Sequence, residues 1–106
     1  MPAAGDLIWL DVDPQAGHEQ AGHRPAVVLS SISYNATGVL ICVPVTTKLK
    51  GYPFEVELVG DVRSAALADQ VCHKDWKAPG AKFIRKVEPD ELEEIRELAQ
   101  ILISTN

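Results

Sequence analysis

Two runs in this 106-residue chain, RPAVVLS (residues 24–30) and VLICVPV (residues 39–45), are apolar and β-branched almost without interruption. A strand with one face in water alternates polar and apolar side chains, so an unbroken run is the mark of a strand buried on both faces or lining a small barrel. DLIWLDVD (residues 6–13) sets Leu7, Trp9 and Asp11 against Ile8, Leu10 and Val12, and the turn residues of DPQAG end it as a first strand. FEVELVG (residues 54–60) alternates Phe54, Val56 and Leu58 with Glu55, Glu57 and Val59, which predicts a strand with one wet face. SYNATG (residues 33–38) reads as a hairpin-like connection. AALADQVCH (residues 65–73) and AKFIRKV (residues 81–87) read as further short strands around a KDWKAPG loop.

At Pro89 the period changes. Pro89 suits the first position of a helix, and Asp90 and Glu91 place negative charge at the positive end of its dipole. Leu92, Ile95, Ala99 and Leu102 form one stripe with Leu98 and Ile101 beside it, which leaves the acidic residues on the outer face. The expected fold is mainly β (α+β): five to seven short antiparallel strands curled into a barrel, with a C-terminal helix closing or flanking it. One domain, residues 1–106, is expected, and its 46% apolar content suffices for a real but small core. No stretch approaches the roughly 18 to 20 apolar residues of a membrane span, and residues 1–6 lack the regions of a signal peptide. A cytoplasmic protein is expected.

The net charge of −5 looks unfavourable for a nucleic-acid ligand, but its distribution removes that objection. Glu88, Asp90, Glu91, Glu93, Glu94 and Glu97 face only Arg96, and outside that segment nine acids balance nine bases. Lys74, Lys77, Lys82, Arg85 and Lys86 stand with Asp75 alone, which allows a local positive surface, although such a run is more often a solvated face. Cys42 and Cys72 lie in apolar runs without the spacing or histidine partners of a zinc site, and read as buried reduced thiols.

The chemistry-bearing residues gather at GHEQAGHRP (residues 17–25), between the first two strands. Gly17 and Gly22 free the loop to approach a ligand, whereas Pro25 fixes its own φ and holds Arg24 extended at the entry to the strand. The guanidinium fork suits a phosphate, and would equally salt-bridge Asp11 or Asp13. A second polar group, Thr46, Thr47, Lys48, Lys50 and Gly51, ends the other buried run. Placed beside Arg24 it would converge on an anion; otherwise the threonines satisfy local backbone groups. No Walker loop, paired-carboxylate metal site, nucleophile elbow or dinucleotide fingerprint is present, so neither a cofactor nor a metal is expected.

GDLIWLDVDPQAGHEQAGHRPAVVLS, CVPVTTKLKGYPFEVEL and ALADQV, in that order, closely resemble the MazF/PemK family of toxin endoribonucleases from bacterial toxin–antitoxin pairs. The resemblance covers about residues 5–103, and its E-Q-x-G-x-R-P element is highly specific. It implies an SH3-like barrel of the MazF/CcdB type, a homodimer, and metal-independent cleavage of single-stranded RNA such as mRNA to 2′,3′-cyclic phosphate and 5′-hydroxyl ends. It also implies a MazE-like antitoxin with an acidic C-terminal tail. By the same resemblance Glu19, Arg24 and Thr46 are catalytic, with Thr47 the alternative to Thr46, while His18, Gln20, His23, Thr47, Lys48 and Gln70 contact the substrate. A serine is expected at position 18 in many relatives, so His18 is a departure bearing on substrate preference and proton transfer. Arg24 fits a phosphoryl-stabilising role, and Thr46 a hydrogen bond to the same oxygens. Glu19, His18 and His23 are the candidate bases, the histidines being better matched to neutral pH. Trp9 and Trp76 either stack on bases or pack in the core. A contrasting reading is a non-enzymatic, CcdB-like toxin that binds a protein target such as gyrase through its terminal helix.

Overall fold

The computed structural model describes residues 1–11, 23–77 and 80–104, with the side chains of all of these except residues 11 and 23. Along the chain run β1 (Asp6–Asp11), β2 (His23–Val28), α1 (Ile32–Asn35), β3 (Val39–Thr46), β4 (Glu55–Leu58), β5 (Ser64–Leu67), β6 (Cys72–Asp75), β7 (Lys82–Lys86) and α2 (Pro89–Ser104). The strands pair antiparallel in the order β4-β5-β3-β2-β1-β7, with β6 added to β3. Strand β3 keeps one edge for β2 and divides the other: residues 39–42 pair with β6, and Val45 and Thr46 with β5. The result is the curled antiparallel sheet with a C-terminal helix that the periodicity predicts.

The two uninterrupted runs lie at the centre of this sheet, and each face of it is covered. On one face Leu7, Val27, Val43 and Val45 pack with Val56, Leu58 and Ala66 and with Ile95 of α2. On the other, Ile8, Leu10, Ala26, Val28, Leu40 and Cys42 form a second cluster against Cys72, Trp76 and Ala81. Residues 25–28 of β2 and 39–45 of β3 carry no charged or hydroxyl side chain because both faces of the sheet are covered there.

Four expectations need correction. SYNATG is not a hairpin connection: Ser31 accepts a hydrogen bond from the Tyr34 N–H and starts α1. Buried Asn35 then holds α1 down, its amide donating to the carbonyls of Pro2 (2.9 Å) and Ser30 (3.0 Å). AALADQVCH is two strands, β5 and β6, separated by a turn in which the Gln70 N–H donates to the Leu67 carbonyl. The acids of α2 are not all on its outer face: Glu91 is buried, accepting from the Glu88 N–H (2.9 Å) and, across the fold, from the Val59 N–H (2.7 Å). The first of these bonds is one half of a capping box. The apolar stripe of α2 also ends early, since Ile95 and Ala99 are buried but Ile101 and Leu102 are exposed. Trp9 is 41% exposed, whereas half-buried Trp76 packs on the second cluster and donates its indole N–H to the Asn35 carbonyl (2.7 Å).

Candidate active site

Arg24 stands opposite Leu10 across β1 and β2, and Ala26 stands opposite Pro44 across β2 and β3. Alternate residues of a strand leave the sheet on one face. Arg24 therefore shares the face of Ala26, Thr46 shares the face of Pro44, and the two rise from adjacent strands on the same side of the sheet. The sequence carries both residues there because each ends a buried run, where a polar side chain first becomes tolerable.

Half-buried Arg24 lines a cavity of about 170 Å³ whose walls include Leu10, Ala26, Pro44 and Lys74. Two cations at the rim of an apolar hollow favour an anion, because a low-dielectric wall strengthens their field. Cys42 and Cys72 complete this cavity, their sulfurs 3.6 Å apart. The buried Cys42 thiol is pushed far up by its hydrogen bond to the Cys72 sulfur and by burial, and so keeps its proton. Cys72, which accepts that bond and lies near the Lys74 ammonium, is lowered to about 7 despite its partial burial.

Thr46 opens a second cavity, of about 390 Å³, together with Lys48, Lys50, Tyr52, Asp69 and Gln70. Its hydroxyl accepts from the Lys48 N–H at 3.0 Å, which is the local role that a strand-end threonine ordinarily plays. The Glu55 carboxylate accepts from the N–H groups of Lys50 and Gly51 and so fixes the loop that carries Lys48. Gly51, at φ +77°, makes the turn that brings those two N–H groups to one carboxylate. Tyr52 and Phe54 stack beside it with ring centroids 5.1 Å apart.

The sequence-predicted residues thus divide into three sets. Arg24 lines the first cavity, and Thr46, Lys48 and Gln70 meet in the second, next to it along β3. Thr47 is exposed just beyond the strand. His18, Glu19 and Gln20, with Asp13, lie outside the described residues, as do the side chains of His23 and Asp11. The basic run is dispersed rather than gathered. Lys86 pairs with Asp6 at 2.7 Å, Arg85 donates to the Val59 carbonyl, Lys77 lies over the Trp76 ring, and of the five only Lys74 joins the Arg24 cavity. The sequence offers Lys74 only as one of five bases; its place beside Arg24 and the pairing of the cysteines both depend on the register of β3 with β6. Among the described residues no three His, Cys, Asp or Glu side chains converge as metal ligands.

Residues 3–103 match the family described as PemK-like, MazF-like toxin of type II toxin–antitoxin system. The chain belongs to the MazF/PemK toxin family. It is 55% identical over 105 residues to the endoribonuclease toxin MazF of Escherichia coli strain K12, covering 97% of this chain and 95% of that one. The endoribonuclease toxin ChpB of the same strain is 36% identical over 98 residues, covering 85% and 84%. Among solved structures, the MazE–MazF complex (Form-II) from Deinococcus radiodurans superposes with a TM-score of 0.90 at 44% identity, covering 99% of this chain and 97% of that one. The MazF-type relatives bear the name endoribonuclease, which does not favour the gyrase-poison alternative. No described helix is long and apolar enough to cross a membrane.

Proposed function

We propose that this chain is a sequence-specific endoribonuclease toxin that cuts single-stranded RNA, mRNA in particular, with the 2′-hydroxyl of the substrate as nucleophile. The observation that carries the proposal is the placement of half-buried Arg24 beside Lys74 in an apolar hollow, one step along β3 from the cavity of Thr46, Lys48 and Gln70. Family membership supplies the reaction class, and the named activity of the relatives supports it.

The chemistry asks little of the protein beyond charge placement and two proton transfers. A base removes the 2′-OH proton, the oxygen attacks the adjacent phosphorus, and the 5′-oxygen departs with a proton, leaving a 2′,3′-cyclic phosphate and a 5′-hydroxyl. A metal is not needed because the nucleophile is already next to the phosphorus. Arg24 stabilises the charge that builds on the phosphoryl oxygens, and the Thr46 hydroxyl donates to the same oxygens. The base is Glu19, His18 or His23. Gln20, Thr47, Lys48 and Gln70 hold nucleotides flanking the cut. Single-stranded RNA is the substrate because the stacked A-form duplex keeps the 2′-OH out of line and its bases out of reach.

The working unit is a homodimer of this single 106-residue domain acting in the cytoplasm. It is held inactive by a MazE-like antitoxin whose acidic C-terminal tail competes with RNA for the cationic surface; a solved MazE–MazF complex among the relatives supports an antitoxin partner. That complex weakens as salt rises, because its attraction is screened. The test is incubation of the purified chain with a long single-stranded RNA in EDTA beside Arg24→Ala. Cuts at a restricted set of sites, absent from the folded variant, are expected; a variant as active as the parent would overturn the site assignment.

A further inference from the structure

Cys42 and Cys72 are 30 positions apart in the chain but directly opposite each other in the β3–β6 register. Opposed residues of antiparallel strands have Cα atoms about 4.5 to 5.5 Å apart, within the span of about 4.4 to 6.8 Å that a disulfide bridges. The two sulfurs already face each other at 3.6 Å. They differ in access: Cys42 is 1% exposed, whereas Cys72 is half-buried and both line the Arg24 cavity.

We propose that Cys72 and Cys42 are a redox-active dithiol, with Cys72 attacking and Cys42 resolving, which peroxide closes to an intramolecular disulfide in the wall of the Arg24 cavity. In the first step the Cys72 thiolate attacks one peroxide oxygen, an S–O bond forms as the O–O bond breaks, and the departing hydroxide leaves as water after taking a proton. Cys42 then attacks the sulfenic sulfur, the S–S bond forms as the S–O bond breaks, and the second hydroxide takes the Cys42 proton and leaves as water. Two thiols have lost two electrons, and one peroxide has become two waters.

Asymmetry of environment assigns the order. Peroxide reaches half-buried Cys72 first, because Cys42 is 1% exposed, and the Lys74 ammonium favours the nucleophilic thiolate at Cys72. Burial and its own donated bond keep Cys42 protonated until a sulfenic acid appears within its reach. Closure would enclose residues 43–71 in a covalent ring that carries Thr46, Lys48 and Gln70, so the walls of the second cavity become tied to the first. This chemistry does not depend on the nuclease reading, and it is expected even of a preparation that cuts no RNA.

The test is mass spectrometry of the intact chain after treatment with hydrogen peroxide in the presence of dimedone, which traps sulfenic acids. The parent is expected to lose two hydrogens, run as an unlinked chain on a non-reducing gel, take no dimedone and regain both hydrogens with dithiothreitol. Its thermal midpoint should rise on oxidation and fall again on reduction. Cys42→Ser should accumulate the dimedone adduct at Cys72, and Cys72→Ser should react with neither reagent. The parent measurement alone is decisive should a variant fail to fold. Two intact thiols after peroxide, a dimedone adduct on the folded parent, or chain-to-chain linkage would each overturn the proposal.

Discussion

Glu91→Ala tests whether the helix is locked to the sheet through a single carboxylate. In the parent one oxygen of Glu91 accepts from the N–H of Glu88 at the start of α2, and the other accepts from the N–H of Val59 just past β4. Hydrogen bonds to a charged acceptor contribute about 1.5 to 3 kcal/mol each in net terms. Glu88 and Val59 are exposed residues, so water would satisfy part of what the substitution frees, and the two bonds together come to about 2 to 3 kcal/mol rather than their full sum. At a shift of roughly 4 to 8 °C per kcal/mol for a domain of this size, the thermal midpoint should fall by about 8 to 24 °C. Thermal unfolding and urea titration, both at one fixed protein concentration, are the assays. A lower midpoint with an unchanged slope marks lost stability without a change in the surface exposed. Glu93→Ala, from an exposed position two residues along the same helix, is the control. A Glu91→Ala midpoint equal to that of Glu93→Ala would refute the lock.

Ile95→Ala empties the centre of the first core cluster, where the side chain is fully buried, and should cost about 2 to 5 kcal/mol by the same titration. Arg63→Ala should leave the unfolding midpoint unchanged within error, because the Arg63–Glu57 pair is largely in water although its atoms are 2.8 Å apart. Thr46→Ala should lower the rate of RNA cleavage by about 10²-fold with a near-parental midpoint, as read from initial rates on a short substrate. Alkylation of Cys72 by iodoacetamide should quicken as pH rises through about 7 and level off above it, since only the thiolate reacts, while Cys42 stays inert; peptide mapping of the labelled chain follows both.

The elements legible in the sequence are those whose pattern is decided by which faces are buried. Residues 24–30 and 39–45 read correctly because the fold covers both faces of β2 and β3, and 54–60 because one face of β4 meets water. The turn at residues 68–71 is hidden in the sequence because Ala68, Asp69, Gln70 and Val71 include no glycine or proline, and Ala68 is buried as a strand residue would be. Helix α1 is too short for any period, and is made by a serine cap and by the tertiary bonds of Asn35. Glu91 is an acid among acids in the sequence, and its burial is set by its bonds to the Glu88 and Val59 N–H groups, the second of them across the fold. In the candidate site, Arg24 and Thr46 stand out because each is a polar residue at one end of an apolar run. Lys74 and the cysteine pair do not, because what makes them neighbours is a pairing of strands far apart in sequence.

In the proposed reaction the substrate's own 2′-hydroxyl cuts the RNA while Arg24 supports the phosphate. That reaction is tested most directly with a short RNA spanning one mapped cut site and its twin carrying a single 2′-deoxynucleotide immediately 5′ of that cut, both in EDTA. The all-ribose strand should be cut to a 2′,3′-cyclic phosphate and a 5′-hydroxyl, and the substituted strand should bind but survive intact. Cleavage of the substituted strand at a comparable rate would contradict the proposed reaction, because the nucleophile would then be a water or a group on the protein.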